Sequence, residues 1–179
     1  MRRGWMVILT GVLGGLSVVQ AQTANPLSSE LRESYTRIKT FLLSMAEKMP
    51  EENYGFRPTP EVETFGRRVA HITDANIRTC AGLRGERKSL GAAAKTSKSD
   101  LLALMKESFA YCDGVFDTLT DQAAVEMVSG AIGSPPLPGG QTRTKLSTLW
   151  NVVRHSNELY GYMSVYLRLK GVVPPSSEP

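Results

Sequence analysis

Apolar residues recur along this chain at alternating steps of three and four, the spacing that keeps side chains on one stripe of an α-helix. In the first such run Leu31, Tyr35, Ile38, Leu42, Met45 and Met49 follow one another at steps of 4, 3, 4, 3 and 4. Asn25-Pro26 opens this helix, because proline is tolerated where the backbone N–H would be unpaired anyway, and Pro50 ends it. The next stretch, Asn53-Tyr54-Gly55-Phe56-Arg57-Pro58, reads as an extended link whose rings pack against the helices. A second helix starts near Thr59-Pro60-Glu61 or at Thr64, both suited to N-capping. Phe65, Val69, Ile72 and Leu83 form its apolar face, with His71 beside that stripe. Residues 85–96 read as loop. Ser97 or Ser99 caps a third helix, whose stripe is Leu101, Met105, Ser108, Cys112, Val115 and Leu119.

A short helix is expected at 121–128, followed by a long exposed connection over 130–140. That segment contains Ser134-Pro135-Pro136-Leu137-Pro138, which fits neither a regular helix nor an inner strand. The last helix runs from about Lys145 to Lys170, with Leu149, Val152, Leu159, Met163 and Tyr166 on its stripe. Gly171 and Pro174-Pro175 stop it. No segment alternates with period two, so no sheet is expected. Four amphipathic helices, each too apolar on one face to stand alone, predict an all-α protein: an antiparallel four-helix bundle with a long connection before the last helix.

The N-terminus changes the charge picture. Arg2 and Arg3 precede an apolar stretch from Trp5 to Val19, and Val19-Gln20-Ala21 has the small residues of a cleavage site. The run is shorter than the ~18 apolar residues a membrane span needs, so residues 1–21 read as a signal peptide. The predicted organisation is then a linker at 22–26, a bundle at 27–171 and a Pro/Ser-rich tail at 172–179. The protein would be exported, periplasmic or secreted, with no stable membrane span after cleavage. Removing 21 of the 179 residues leaves 158 and takes away two positive charges and no negative ones, so the formal charge falls from +4 to +2. Nucleic-acid binding, which needs clustered cations on one face, gains no support. The remaining basic cluster, Arg84, Arg87 and Lys88, reads as a solvated loop.

Candidate chemistry is scarce. The chain has two histidines and two cysteines, and no Gly-rich phosphate loop, GxSxG elbow or HExxH motif. His71 and His155 fall on the second and last helices, from which side chains in a bundle can converge. Cys80 and Cys112 are expected to be free buried thiols. An antiparallel hairpin turning near 85–96 would set Cys80 opposite about residue 100, ~18 Å short of Cys112, whereas a bridge needs Cα atoms within ~7 Å.

Met49-Pro50-Glu51-Glu52-Asn53-Tyr54-Gly55-Phe56-Arg57-Pro58 and Val69-Ala70-His71-Ile72-Thr73-Asp74-Ala75-Asn76 resemble the first half of a DinB-family domain. Trp150-Asn151-Val152-Val153-Arg154-His155-Ser156-Asn157-Glu158-Leu159-Tyr160-Gly161, continued by Tyr166-Leu167-Arg168-Leu169-Lys170-Gly171 and Pro174-Pro175, resembles its second half. The resemblance implies a four-helix bundle. It also implies a divalent metal, zinc or nickel, held by one histidine on the second helix and two on the last, four residues apart. His71 and His155 match two of those positions; the third is Leu159, which has no lone pair to give. Glu158 and Asp74 lie close in sequence but are expected to be solvated or capping groups, and Tyr162 to line the same cavity. The implied chemistry is that of metal-dependent hydrolases and transferases acting on low-molecular-weight thiols, here with a weakened site. The alternative is a non-catalytic bundle that binds a small apolar ligand or a partner protein. A homodimer is compatible with either.

Overall fold

Helix boundaries in the computed structural model fall where local chemistry puts them. The structure describes residues 24–129 and 142–178; the expected signal peptide and the 130–140 connection lie outside them. The main helices are α1 (Pro26–Lys48), α2 (Phe65–Leu83), α3 (Lys98–Phe116) and α5 (Lys145–Leu169), with a single turn, α4 (Asp121–Ala124), between the last two. The hydroxyls of Thr64, Ser97, Thr120 and Thr144 accept from the N–H groups of Arg67, Asp100, Ala123 and Ser147, which satisfies donors that a helix start leaves unpaired. Thr64, not Thr59, therefore begins α2, and Ser97 begins α3.

α1 is capped from a distance. Asp121 accepts from the backbone N–H of Leu27 (3.1 Å) and Ser28 (2.8 Å), and from the Ser28 hydroxyl. Asn25 returns the favour to α4, accepting from the Asp121 N–H at 2.9 Å. Two helix starts thus satisfy each other across the top of the bundle.

The apolar stripes meet in one core that includes Tyr35, Leu42, Met45, Phe65, Leu101, Phe109, Phe116, Leu149 and Met163. Tyr35 stacks on Phe116 with ring centroids 3.8 Å apart, and its hydroxyl donates to Phe109 O at 3.0 Å. Around the bundle the order is α1, α3, α2, α5 and back to α1. Tyr35 meets Phe109, and Arg32 reaches Phe116 O, so α1 and α3 are antiparallel. Tyr166 reaches Glu63 O and His155 meets His71, so α5 and α2 are antiparallel.

The other two neighbouring pairs run the same way. On α2 and α3, Gly66 lies against Leu101, Ser108 bonds Thr73 O, and Cys80 meets Cys112. On α1 and α5, Leu31 shares a cleft with Leu146, and Phe41 stacks on Tyr160. Helix directions are therefore up, down, down, up. Residues 84–97 are not a hairpin turn but an irregular return segment that climbs the length of the bundle. Midway, Gly91 adopts φ +64°, where glycine escapes the Cβ penalty, and Ala92 is buried. The carboxylate of Asp74 accepts from the N–H groups of Ala92 (3.2 Å) and Ala93 (3.0 Å), pinning the return to α2.

This direction corrects the expectation for the cysteines. Cys80 and Cys112 sit level with each other, their Cα atoms 5.4 Å apart, and form a disulfide. A second correction concerns sheet. Residues 127–129 and 142–144 pair antiparallel, with Met127 opposite Thr144 and Ser129 opposite Thr142, so the expected helix over 121–128 ends at Ala124. Strands of three residues are too short for a period to register. The C-terminal segment is docked rather than free: Tyr160 OH donates to Ser176 Oγ and accepts from Ser176 N–H, and Lys48 pairs with Glu178. Among the described residues no helix is long and apolar enough to cross a membrane.

Candidate functional site

The antiparallel contact of α2 with α5 brings the two histidines together. His71 projects from α2 just off the buried stripe formed by Phe65, Val69, Ile72 and Asn76. His155 projects from α5 between the buried Val152 and Leu159. Their Nε2 atoms are 3.0 Å apart and their rings are nearly perpendicular. One nitrogen must donate and the other accept, so the pair is stable when at most one of them is charged. Partial burial, reinforced by His155 and by the cations of Arg68 and Arg78, holds His71 below the usual imidazole range despite the opposing Asp74.

Two nitrogens each ~2.1 Å from one ion and set near a right angle would lie about 3.0 Å apart, so the pair fits two adjacent positions around a divalent cation. The third donor is missing. Leu159 is buried in the apolar core and supplies none. Glu158 does not replace it: its Oε2 lies 3.7 Å from His155 Nδ1, on the side of the ring away from Nε2. From there it faces the Nδ1 edge of the ring and does not ligate beside Nε2. Asp74 is spent on the amides of Ala92 and Ala93. Among the described residues no group of three histidine, cysteine or carboxylate side chains is placed to hold a metal.

Polar side chains border the histidines along the seam. Tyr162 donates to Glu158 Oε1 at 3.2 Å, and Glu158 Oε2 also faces Arg154 at 3.7 Å. The Arg68 guanidinium lies 5.7 Å from the centre of the Tyr162 ring. Leu159, between His155 and Tyr162 on the same helix face, forms the apolar floor. His71 and His155 converge as the sequence suggested, and Tyr162 borders the same patch, which is a surface seam and not an interior cavity. Arg68 was not singled out in the sequence; the signal was its position one turn before His71, on the same face of α2.

A family model described as the DinB superfamily matches residues 35–163. Among solved structures, a DinB-like protein from Bacillus cereus superposes with a TM-score of 0.67 at 18% identity, covering 82% of this chain and 95% of its own. A mycothiol-dependent maleylpyruvate isomerase superposes with a TM-score of 0.58 at 17% identity, over 77% of this chain; the match spans only 59% of that enzyme. A conserved protein from Enterococcus faecalis gives 0.54 at 13% identity, covering 78% of this chain and 96% of its own. At these identities the likeness is one of fold. A search of curated proteins finds no match. The family match, which extends over well more than half the sequence and includes both histidines, agrees with the bundle and its α2–α5 seam: the chain belongs to the DinB superfamily.

Proposed function

We propose that this is an exported DinB-superfamily protein with a weakened divalent-metal site, a relative of metal-dependent hydrolases and thiol transferases, in which His71 and His155 supply the protein's two ligands for zinc or nickel. The observation that carries this reading is the 3.0 Å approach of the two Nε2 atoms across α2 and α5. Bound there, a divalent ion would act as a Lewis acid, lowering the pKa of a water or thiol at its open positions. The chain's own residues then have clear tasks. His71 and His155 give neutral nitrogens, and the low pKa of His71 keeps its lone pair available at neutral pH. Glu158 sets a carboxylate on the Nδ1 side of His155. Leu159 keeps the floor of the seam dry.

Export is supported by the Cys80–Cys112 disulfide, since such bridges persist chiefly in oxidising compartments. That one neighbour in fold is a thiol-dependent isomerase is consistent with a low-molecular-weight thiol as co-substrate. The test is metal content by elemental analysis, together with calorimetric titration of Zn²⁺ and Ni²⁺ into wild type, His71→Ala and His155→Ala. Saturable binding of one ion, lost in both variants, is expected. Equal binding by all three proteins, or none by wild type, would overturn the metal reading and leave the non-catalytic bundle in its place.

A further inference from the structure

Several guanidinium groups of this protein are engaged. Arg32 and Arg37 pair with Asp117 and Glu33, Arg67 reaches Ala93 O and Glu63, and Arg154 is held by Asn151 and Glu158. Arg68 differs. Its Nε is covered and has no hydrogen-bond partner, and among the described residues no carboxylate pairs with its guanidinium. A covered, unmatched N–H of a charged group is costly and rare in folded proteins. The guanidinium faces the Tyr162 ring at 5.7 Å, and none of its own hydrogen bonds must break when its terminal donors turn to another acceptor. It also stands one turn from His71, in a seam where Arg154 already shares Glu158.

We propose that Arg68 is the anion-recognition residue of this seam, and that the molecule bound beside His71 and His155 carries a carboxylate. The guanidinium offers parallel N–H donors whose fork matches the two oxygens of a planar carboxylate. Tyr162 presents an aromatic face that holds the guanidinium plane, and its own hydroxyl is tied to Glu158. A carboxylate on Arg68 would place the rest of the ligand beside His71, one turn further along the same face of α2. This inference rests on the reading of the α2–α5 seam as the ligand site, but the contact it assigns requires no metal.

The experiment follows the side-chain N–H signals of Arg68 and the imidazole signals of His71 and His155 by NMR in the mature, metal-free protein. The probes are glutarate, its neutral analogue glutaramide, and inorganic phosphate. Glutarate should shift the Arg68 Nε–H and His71 signals saturably, and glutaramide should not. In Arg68→Gln the glutarate affinity should fall at least tenfold, and Arg68→Lys, which keeps the charge but not the fork, should recover only part of it. Both variants retain the helix because Arg68 makes no hydrogen bond within the fold. Binding of glutaramide or phosphate as tight as that of glutarate, no shift at Arg68, or an unchanged affinity in Arg68→Gln would each overturn the proposal. A Ni²⁺ titration of the same samples separates the two readings. Wild type that captures glutarate through Arg68 without binding Ni²⁺ upholds this inference while the metal reading fails.

Discussion

Breaking the Cys80–Cys112 bridge tests the fold where the structure departs most from simple periodicity. The cysteines are 32 residues apart and join α2 to α3 inside the core. Cross-linking a loop of that length removes entropy from the unfolded chain worth about 3.7 kcal/mol at 25 °C in the chain-entropy model. The native state should lose much less, because reduced thiols at these buried positions pack as small apolar groups. At roughly 2–4 °C per kcal/mol for a domain of this size, the melting temperature should fall by roughly 7–15 °C on reduction. Urea unfolding followed by circular dichroism, with and without a thiol reductant, measures the effect directly. The reduced protein should unfold at lower urea, with a steeper slope because its unfolded chain is less constrained. The Cys80→Ala/Cys112→Ala double variant should fall near the reduced wild type, with a further small loss from missing sulfur atoms. Coincident curves for oxidised and reduced protein would refute the parallel packing of α2 and α3, as would two titratable thiols in denatured protein collected from an oxidising compartment.

Leu159→His should restore a third ligand and tighten Ni²⁺ or Zn²⁺ at least about tenfold, a difference of about 1.4 kcal/mol. Without metal the same variant should be destabilised by about 2–4 kcal/mol, because it puts an unpaired polar group in the core, so thermal melts with metal and with chelator should diverge far more than for wild type. At Asp121, desolvation opposes ionisation, yet bonds from the Ser28 N–H and hydroxyl and the Leu27 N–H hold the carboxyl below its ordinary value. A depressed folded-state pKa gives stability that is full above the unfolded value of ~3.9 and is lost as pH falls through the folded one. Asp121→Asn should therefore lower stability at neutral pH and flatten the acid limb of a stability–pH curve. Gly66→Ala should destabilise by about 1–3 kcal/mol in urea unfolding, since its Cβ would lie 3.2 Å from Tyr54 O and 3.3 Å from Leu101 Cδ1.

The sequence alone determined where the four long helices are and which face of each is apolar. Leu31, Tyr35, Ile38, Leu42, Met45 and Met49 are buried as their spacing requires, Thr64 and Ser97 cap α2 and α3, and Gly171 and Pro174 follow the end of the last helix. Those signals are local: a stripe and a cap depend on residues within a turn or two. The site was half legible, because His71 and His155 stand out as the chain's two histidines on two helices, and Leu159 as the position without a donor. Only the tertiary structure decided direction. Residues 84–97 are long enough to reverse the chain or to carry it back along the bundle, and periodicity is the same for both. Packing against α2, through Asp74 and the buried Ala92, selects the return. From that choice come the disulfide and the up, down, down, up order; the antiparallel contact of α5 with α2 brings in Arg68 and Tyr162 beside the histidines. Each of these pairs residues distant in sequence, and no local pattern records a partner that the chain meets only once it has folded.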